Sequence, residues 1–357
     1  MPAGRLVLAL GLILSVVAGD VAATAQAPGS NKPKHIPPGK MAPLPPAVID
    51  DELAIGGEDI NARKVSTRMT VEVKVNGRGP YHFLVDSGAD TSVVGLRIAR
   101  DLQLRAGAPL VLNGMTATSI VDSVMLDELT LGQSTIHDLE VPVLREEDLG
   151  GQGMLGIDSL VNQRLMMDFE KLVIKVEDAR EPAQVLDGEI VVTARRQRGQ
   201  LILTQVTAVK LPIEAVIDTG SEITIGNLAL RDKLIRRNRD NRDKFFQVAT
   251  TGVTGVTINL EMARIAELKL GGITLRNVPI AFADVPPFKV FGLHKEPALL
   301  LGTDLLESFR RVSLDFRARK VRFQLRRCGS SGVEVTTAPT SAFMRVSSGD
   351  NGAVCRR

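Results

Sequence analysis

Aromatic residues are scarce in this chain of 357 residues, which has no tryptophan, one tyrosine and eleven phenylalanines. A hydrophobic core therefore has to be built mainly from aliphatic side chains. The rings on which nucleic-acid-binding proteins stack bases are missing, and a formal net charge of +3 indicates no concentrated basic face. We expect no nucleic-acid partner.

Cysteine and histidine are also rare, with two and four residues respectively. The histidines are scattered without the spacing of metal ligands, and neither Cys328 nor Cys355 has a histidine nearby. The sequence thus predicts no metal, no cofactor and no cysteine nucleophile. Both cysteines lie near the C-terminus, where an oxidising compartment would permit a disulfide. Whether they pair is left open by the sequence.

Long apolar runs are absent except at the N-terminus, where residues 6–18 are almost uninterrupted by polar side chains. Arg5 precedes this run, and Ala23-Thr24-Ala25 offers a small-x-small cleavage site. This pattern predicts a signal peptide over residues 1–25 that is removed on export, which would place the protein in the periplasm or outside the cell. The alternative is an uncleaved membrane anchor, although the run is short for a bilayer span.

A short motif occurs twice in matching surroundings. Residues 83–89 are Phe-Leu-Val-Asp-Ser-Gly-Ala, and residues 215–221 are Ala-Val-Ile-Asp-Thr-Gly-Ser. The apolar triplet is typical of a buried strand end, and the glycine is typical of a sharp turn or a close backbone approach. A carboxylate at such a place is costly without partners, and two that meet would share one proton. A single Asp-Ser/Thr-Gly is more often a turn, but the duplicated pair indicates catalysis by Asp86 and Asp218.

The predicted elements around the first motif recur in the same order around the second. Each copy has a strand hairpin before the aspartate, a helical segment after it, and a later Leu-Gly-x-Asp-x-Leu segment. This duplication predicts lobe 1 over residues 67–177 and lobe 2 over residues 189–326. A proline-rich linker over residues 26–66, an inter-lobe linker over residues 178–188 and a flexible tail over residues 327–357 complete the prediction.

These paired motifs resemble the pepsin/retropepsin aspartic proteases, most closely the bacterial retropepsin-like branch. The resemblance covers roughly residues 68–325 and implies an all-β, two-lobed acid protease fold with short helices. It also implies that each lobe contributes one catalytic aspartate, Asp86 and Asp218. The hydroxyl residues of the two loops would join them to each other, and the glycines would permit close approach. These active-site loop residues are Ser87, Gly88, Thr219 and Gly220.

The resemblance further implies a pair of flaps, the hairpins near Gly114 and Gly252, that close over a bound peptide. Asp90 and the matching Glu222 would lie near the substrate backbone, although a local turn or a solvated loop explains them equally well. The chain departs from the retroviral pattern at Ile157, where those proteins have an arginine. Glu222 is a second departure, since an aspartate is usual there.

Two other sequence patterns have simpler explanations than a binding site. Residues 151–156 match the Gly-x-Gly-x-x-Gly fingerprint of dinucleotide sites, but the second repeat keeps only the last glycine and no parallel βα pattern surrounds it. The sequence predicts a basic helical region over residues 228–246. Aspartates interrupt its arginines, which favours a solvated helix face over a docking site.

The sequence therefore predicts an exported aspartic endopeptidase that acts on polypeptides with a water activated between Asp86 and Asp218, and needs no cofactor. The rival function is a protease-like module that binds peptides without cleaving them. A monomer with two lobes is favoured over a homodimer that pairs identical repeats.

Overall fold

The structure is a computed structural model that describes residues 12–13, 58–65, 67–160, 162–180, 189–197, 199–237, 245–252, 256–326 and 333–337. The predicted linker between the lobes lies almost wholly outside these ranges, as do both cysteines. So does the predicted signal peptide apart from residues 12–13. Within the described ranges the chain is mostly β-strand with a few short helices, which confirms the predicted all-β fold.

Lobe 1 is a β-rich unit with three short helices. Its strands are β2 (Glu58–Val65), β3 (Arg68–Val75), β4 (Arg78–Val85), β5 (Val93–Gly95), β6 (Arg105–Ala106), β7 (Leu110–Gly114), β8 (Thr118–Val121), β9 (Ser123–Leu131), β10 (Ser134–Leu144), β11 (Gly153–Leu155), β12 (Gln163–Asp168) and β13 (Val173–Asp178). Its helices are α1 (Leu96–Asp101), α2 (Glu146–Leu149) and α3 (Ile157–Leu160). A two-residue strand, β1 (Leu12–Ile13), pairs with the outer edge of β7.

Lobe 2 repeats this plan. Its strands are β14 (Glu189–Gln197), β15 (Gln200–Ala208), β16 (Leu211–Ile217), β17 (Ile225–Gly226), β18 (Phe246–Thr251), β19 (Thr257–Leu270), β20 (Ile273–Phe282), β21 (Ala298–Leu301), β22 (Phe309–Asp315), β23 (Lys320–Leu325) and β24 (Glu334–Thr337). Its helices are α4 (Leu228–Arg237), α5 (Pro286–Val290) and α6 (Thr303–Leu306).

The two lobes share a six-stranded sheet at their base. Its order is β2, β13, β12, β22, β23 and β14, so that β12 of lobe 1 pairs with β22 of lobe 2. Two ion pairs cross this junction in a reciprocal way. Arg164 Nε lies 2.9 Å from Asp315 Oδ2, and Arg311 Nε lies 2.6 Å from Asp168 Oδ2. The junction is therefore joined both by its strand ladder and by two matched charge pairs.

Two strands turn out of this base sheet into the lobes. The first half of β2 pairs with β13 and its second half with β3, while β14 pairs with β23 and then with β15. Each lobe barrel thus begins on a strand that also belongs to the shared sheet. This arrangement relates the two lobes by an approximate two-fold axis through the β12–β22 pair.

The main core extends through both lobes and is built largely from valine, leucine and isoleucine, as the shortage of rings requires. Two further apolar clusters lie apart from this core, one built mainly by lobe 2 and the other by lobe 1. In the described part of the chain, none of the helices combines the length and apolarity that a membrane crossing needs.

The helical prediction for residues 228–246 was wrong at its C-terminal end. The structure describes helix α4 over Leu228–Arg237, residues 238–244 lie outside the described ranges, and Phe246 begins strand β18. The apolar residues that place α4 against lobe 2 are Leu230 and Leu234. Phe246 pairs with Met262 of β19, a contact that local helical propensity does not report.

Candidate active site

The two motif aspartates occupy equivalent places at the ends of β4 and β16. In each lobe the strand that carries the aspartate pairs in parallel with a later strand, β4 with β11 and β16 with β21. The ladder continues one step into the loop: Asp86 N donates to Leu155 O at 2.9 Å, and Asp218 N donates to Leu301 O at 3.0 Å. The backbone position of each aspartate is therefore set by a buried sheet.

The hydroxyl residue of each loop bonds to the backbone of the other lobe. Ser87 Oγ donates to Ile217 O at 2.9 Å, and Thr219 Oγ1 donates to Val85 O at 2.8 Å. Each hydroxyl also accepts a bond, from Thr219 N at 3.2 Å and from Ser87 N at 2.9 Å respectively. These four bonds form a reciprocal set that holds the two loops against each other.

The two carboxyl groups meet at the centre of this arrangement. Asp86 and Asp218 are both 0% exposed, and each carboxyl group lies against the glycine of the opposite loop. Oδ1 of each also accepts bonds from the N–H groups two and three residues later, at 2.8 and 3.1 Å in lobe 1 and at 3.1 and 3.0 Å in lobe 2. Burial, together with the charge of Asp86, raises the pKa of Asp218 well above its usual range. The pair therefore retains one proton at a pH where an exposed carboxyl would lose it.

The glycines that follow lie against the opposite carboxyl group. A Cβ at Gly88 would lie 2.6 Å from Asp218 Cγ, and a Cβ at Gly220 would lie 2.1 Å from Asp86 Cγ. Both distances are too short for any side chain. Glycine at these two positions is what permits the carboxyl groups to come together.

Asp90 and Glu222 bind residues of the opposite lobe. Glu222 Oε1 lies 3.2 Å from Arg68 Nε, and Asp90 Oδ1 accepts a hydrogen bond from Gln200 Nε2. Arg68 is 1% exposed and also donates through Nη1 to Leu149 O at 3.1 Å. Burial lowers its pKa, and the charges of Glu222 and the two motif aspartates oppose that effect. These acidic residues therefore take part in contacts between the lobes.

The sequence motifs do not identify Arg68 and Gln200, which the structure places at this site. Each lies the same number of residues before the motif aspartate of its repeat. Arg68 is the first residue of β3, and Gln200 is the first residue of β15. A comparison of the repeats over their whole length, rather than at the motifs alone, would have paired them. The structure adds that Glu222 in lobe 2 has a charged partner, Arg68, whereas Asp90 in lobe 1 has a neutral one, Gln200.

The hairpins predicted as flaps are β7–β8 in lobe 1, called flap 1, and β18–β19 in lobe 2, called flap 2. Gly114 N donates to Ala117 O at 2.9 Å in the turn of flap 1. The two tips touch, since a Cβ at Gly252 would lie 2.2 Å from Thr116 Oγ1. The flaps therefore meet each other, and the carboxyl pair is inaccessible to solvent in this closed arrangement.

Two later segments support the loops from beneath. A Cβ at Gly156 would lie 2.3 Å from the carbonyl carbon of Thr91, and a Cβ at Gly302 would lie 2.4 Å from that of Ile223. The Asp304 carboxylate accepts hydrogen bonds from Thr224 Oγ1 at 2.8 Å and from the next backbone N–H at 2.7 Å. Its burial raises its pKa to about 6.

The model of one protein family, described as aspartyl protease, matches the chain over residues 71–159 and again over residues 204–305. The two matched segments contain the two aspartate loops, the flap hairpins and the supporting glycines. No curated protein matches the chain.

Proposed function

The chain belongs to the aspartyl protease family. On that premise we propose that it is an exported endopeptidase, which hydrolyses polypeptides with a water molecule activated between the carboxyl groups of Asp86 and Asp218. The observation that carries the proposal is the buried carboxyl pair held by reciprocal bonds from both lobes. One chain supplies both halves, so the active unit is a monomer.

In the proposed reaction the pair holds one proton. The ionised carboxylate removes a proton from a water molecule that lies between the two groups, and the protonated one donates to the carbonyl oxygen of the peptide bond. The water oxygen adds to the carbonyl carbon, and the tetrahedral intermediate then breaks down with proton transfer to the leaving nitrogen. Neither a metal nor a covalent intermediate takes part.

The raised pKa of Asp218 sets the expected pH dependence. Below that pKa the pair carries its proton, and as the pH rises through it the proton is lost and no acid remains to protonate the carbonyl oxygen. Cleavage is therefore expected in acidic solution and is expected to decline towards alkaline pH. We assign the apparent pKa values to the pair rather than to either carboxyl.

The test uses the chain from residue 26 onwards with denatured casein, over pH 3 to pH 8. Asp86→Asn and Asp218→Asn should each abolish cleavage, while Asp101→Asn, at an exposed position on α1, should leave it unchanged. Cleavage that survives in either active-site variant would refute the mechanism. Export is tested separately, by the N-terminal sequence of the protein recovered from the periplasm or medium, which should begin near residue 26.

The second candidate is a peptide-binding module without hydrolytic activity. The burial of both carboxyl groups favours it, because a water molecule from solvent does not reach them in this arrangement. Peptide binding without cleavage at any pH in the tested range would support this alternative.

A further inference from the structure

Flap 1 reaches across the cleft into lobe 2. Met115, at its tip, is 0% exposed and belongs to an apolar cluster that is otherwise made by lobe 2, and β7 packs against α5 of that lobe. We call this cluster the lobe 2 pocket. Its members include Val216, Ile225, Leu260, Val285, Phe288 and Leu300. Val216 stands two residues before Asp218, so the pocket lies directly beside the carboxyl pair.

Lobe 1 has an equivalent pocket that is filled differently. Leu84, Val93 and Met154 pair with one another in the same register as Val216, Ile225 and Leu300 do in lobe 2. The lobe 1 cluster also contains Leu112, which comes from the flap of the same lobe. Each pocket is therefore covered by a side chain of its own flap, Leu112 in lobe 1 and Leu260 in lobe 2, and the lobe 2 pocket contains Met115 of the opposite flap in addition.

The two flaps also differ at the position two residues before the glycine of the turn. Leu112 stands two residues before Gly114, and the residue two before Gly252 in flap 2 is Thr250. Thr250 is 1% exposed, and its hydroxyl has no hydrogen-bond partner among the described residues. Flap 2 thus has a hydroxyl at the position where flap 1 has an aliphatic side chain, and Met115 adds to the apolar contact that Leu260 makes.

Hydrogen bonding is also incomplete at the point where the tips of the two flaps meet. Thr116 Oγ1, which faces Gly252, is buried and likewise lacks a partner within the described ranges. Buried hydroxyls without partners oppose closure, while the burial of Met115 favours it. An extended polypeptide under the flaps would bring N–H and C=O groups within reach of such hydroxyls. The two effects give a closed state that a bound chain is able to displace.

We propose that Met115 is an internal competitor for the substrate subsite of lobe 2: it occupies the pocket that receives an apolar side chain next to the cleaved bond, and the substrate must displace it. This inference rests on the proposed binding of a polypeptide between the flaps. The apparent affinity for substrate is lower than the intrinsic affinity by the fraction of molecules in which the pocket is free. Met115 therefore determines which side chains compete successfully for the subsite.

The experiment measures the affinity of an apolar hexapeptide in which a hydroxyethylene group replaces the central peptide bond, by calorimetry with the chain from residue 26 onwards. Met115→Ala should bind this probe about 10- to 100-fold more tightly than the wild type, since it loses the burial of one methionine side chain. Met115→Gln keeps the length but not the apolarity, and should shift affinity in the same direction. Met115→Leu keeps a competitor and should shift it much less.

Ile120 provides the matched control, because it lies on the same flap but is 76% exposed. Ile120→Ala should bind the probe within about twofold of the wild type. Unchanged or weaker binding by Met115→Ala and Met115→Gln would overturn the inference. The same peptide with a normal central bond separates this result from the proposed function. Tighter binding without cleavage by any variant would refute hydrolysis alone, and cleavage without tighter binding would refute the competitor alone.

Discussion

The ion pair between Arg68 and Glu222 offers the sharpest test of how the lobes are held together. The two side chains are 1% and 7% exposed, and 3.2 Å separates Nε from Oε1. Replacing Arg68 by glutamine leaves the Glu222 carboxylate buried without its guanidinium partner. Breaking a buried pair in this way typically costs about 3–5 kcal/mol of the free energy of unfolding. We expect Arg68→Gln to lower the free energy of unfolding by an amount in this range.

The opposite lobe provides the matched control. Gln200 and Asp90 form there the equivalent contact with a neutral donor. The double variant Arg68→Gln with Glu222→Asp reproduces that pair in place of the ion pair. It should recover most of the stability that Arg68→Gln alone loses, because the shorter carboxylate again faces an amide donor.

The assay is urea unfolding at pH 7 with linear extrapolation, followed by circular dichroism and by the fluorescence of the single tyrosine, Tyr81. Agreement between the two probes establishes a two-state transition, and an unchanged slope shows that the stability itself has changed. Glu222→Gln completes a double-mutant cycle with Arg68→Gln. If Arg68→Gln costs less than about 1 kcal/mol, or if the two single variants add without coupling, the ion pair does not hold the lobes together and the reasoning is wrong.

Three further outcomes follow from the site. Thr219→Ala removes both hydrogen bonds of its hydroxyl and leaves buried backbone groups unpaired, including Ser87 N; it should lose about 2–4 kcal/mol in urea unfolding, whereas a result equal to that of Thr219→Ser would contradict this. Gly220→Ala places a methyl group against the Asp86 carboxyl, so cleavage of the casein substrate should fall by at least about 100-fold; undiminished turnover would show that the loops separate without consequence. Asp304 has a raised pKa of about 6, so it stabilises the fold below its unfolded value and that contribution is lost as the pH rises through 6. The difference in unfolding free energy between wild type and Asp304→Asn should therefore fall by about 3 kcal/mol between pH 3 and pH 7, and a constant difference would refute the assignment.

Local sequence patterns predict many of the strands and turns of the fold. Alternating apolar residues and the Asn76-Gly77 turn identify the hairpin of β3 and β4, because strand periodicity and turn geometry depend on neighbouring residues. The flap hairpins at Gly114 and Gly252 were recognised in the same way. The strand at Phe246 was not, since Phe246 pairs with Met262 on β19. Local helical propensity does not report that pairing.

The sequence by itself determined the duplication, the two aspartate loops and the aliphatic character of the core. Only the tertiary structure decided that Ser87 bonds to the backbone beside Asp218, that Arg68 reaches Glu222, and that Met115 enters the pocket of the other lobe. The physical reason is the distance along the chain: each of these contacts joins segments far apart in sequence, and their choice of partner follows from how the two lobes pack across the shared sheet. A repeat specifies its own strands, but its contacts with its copy exist only once both are folded.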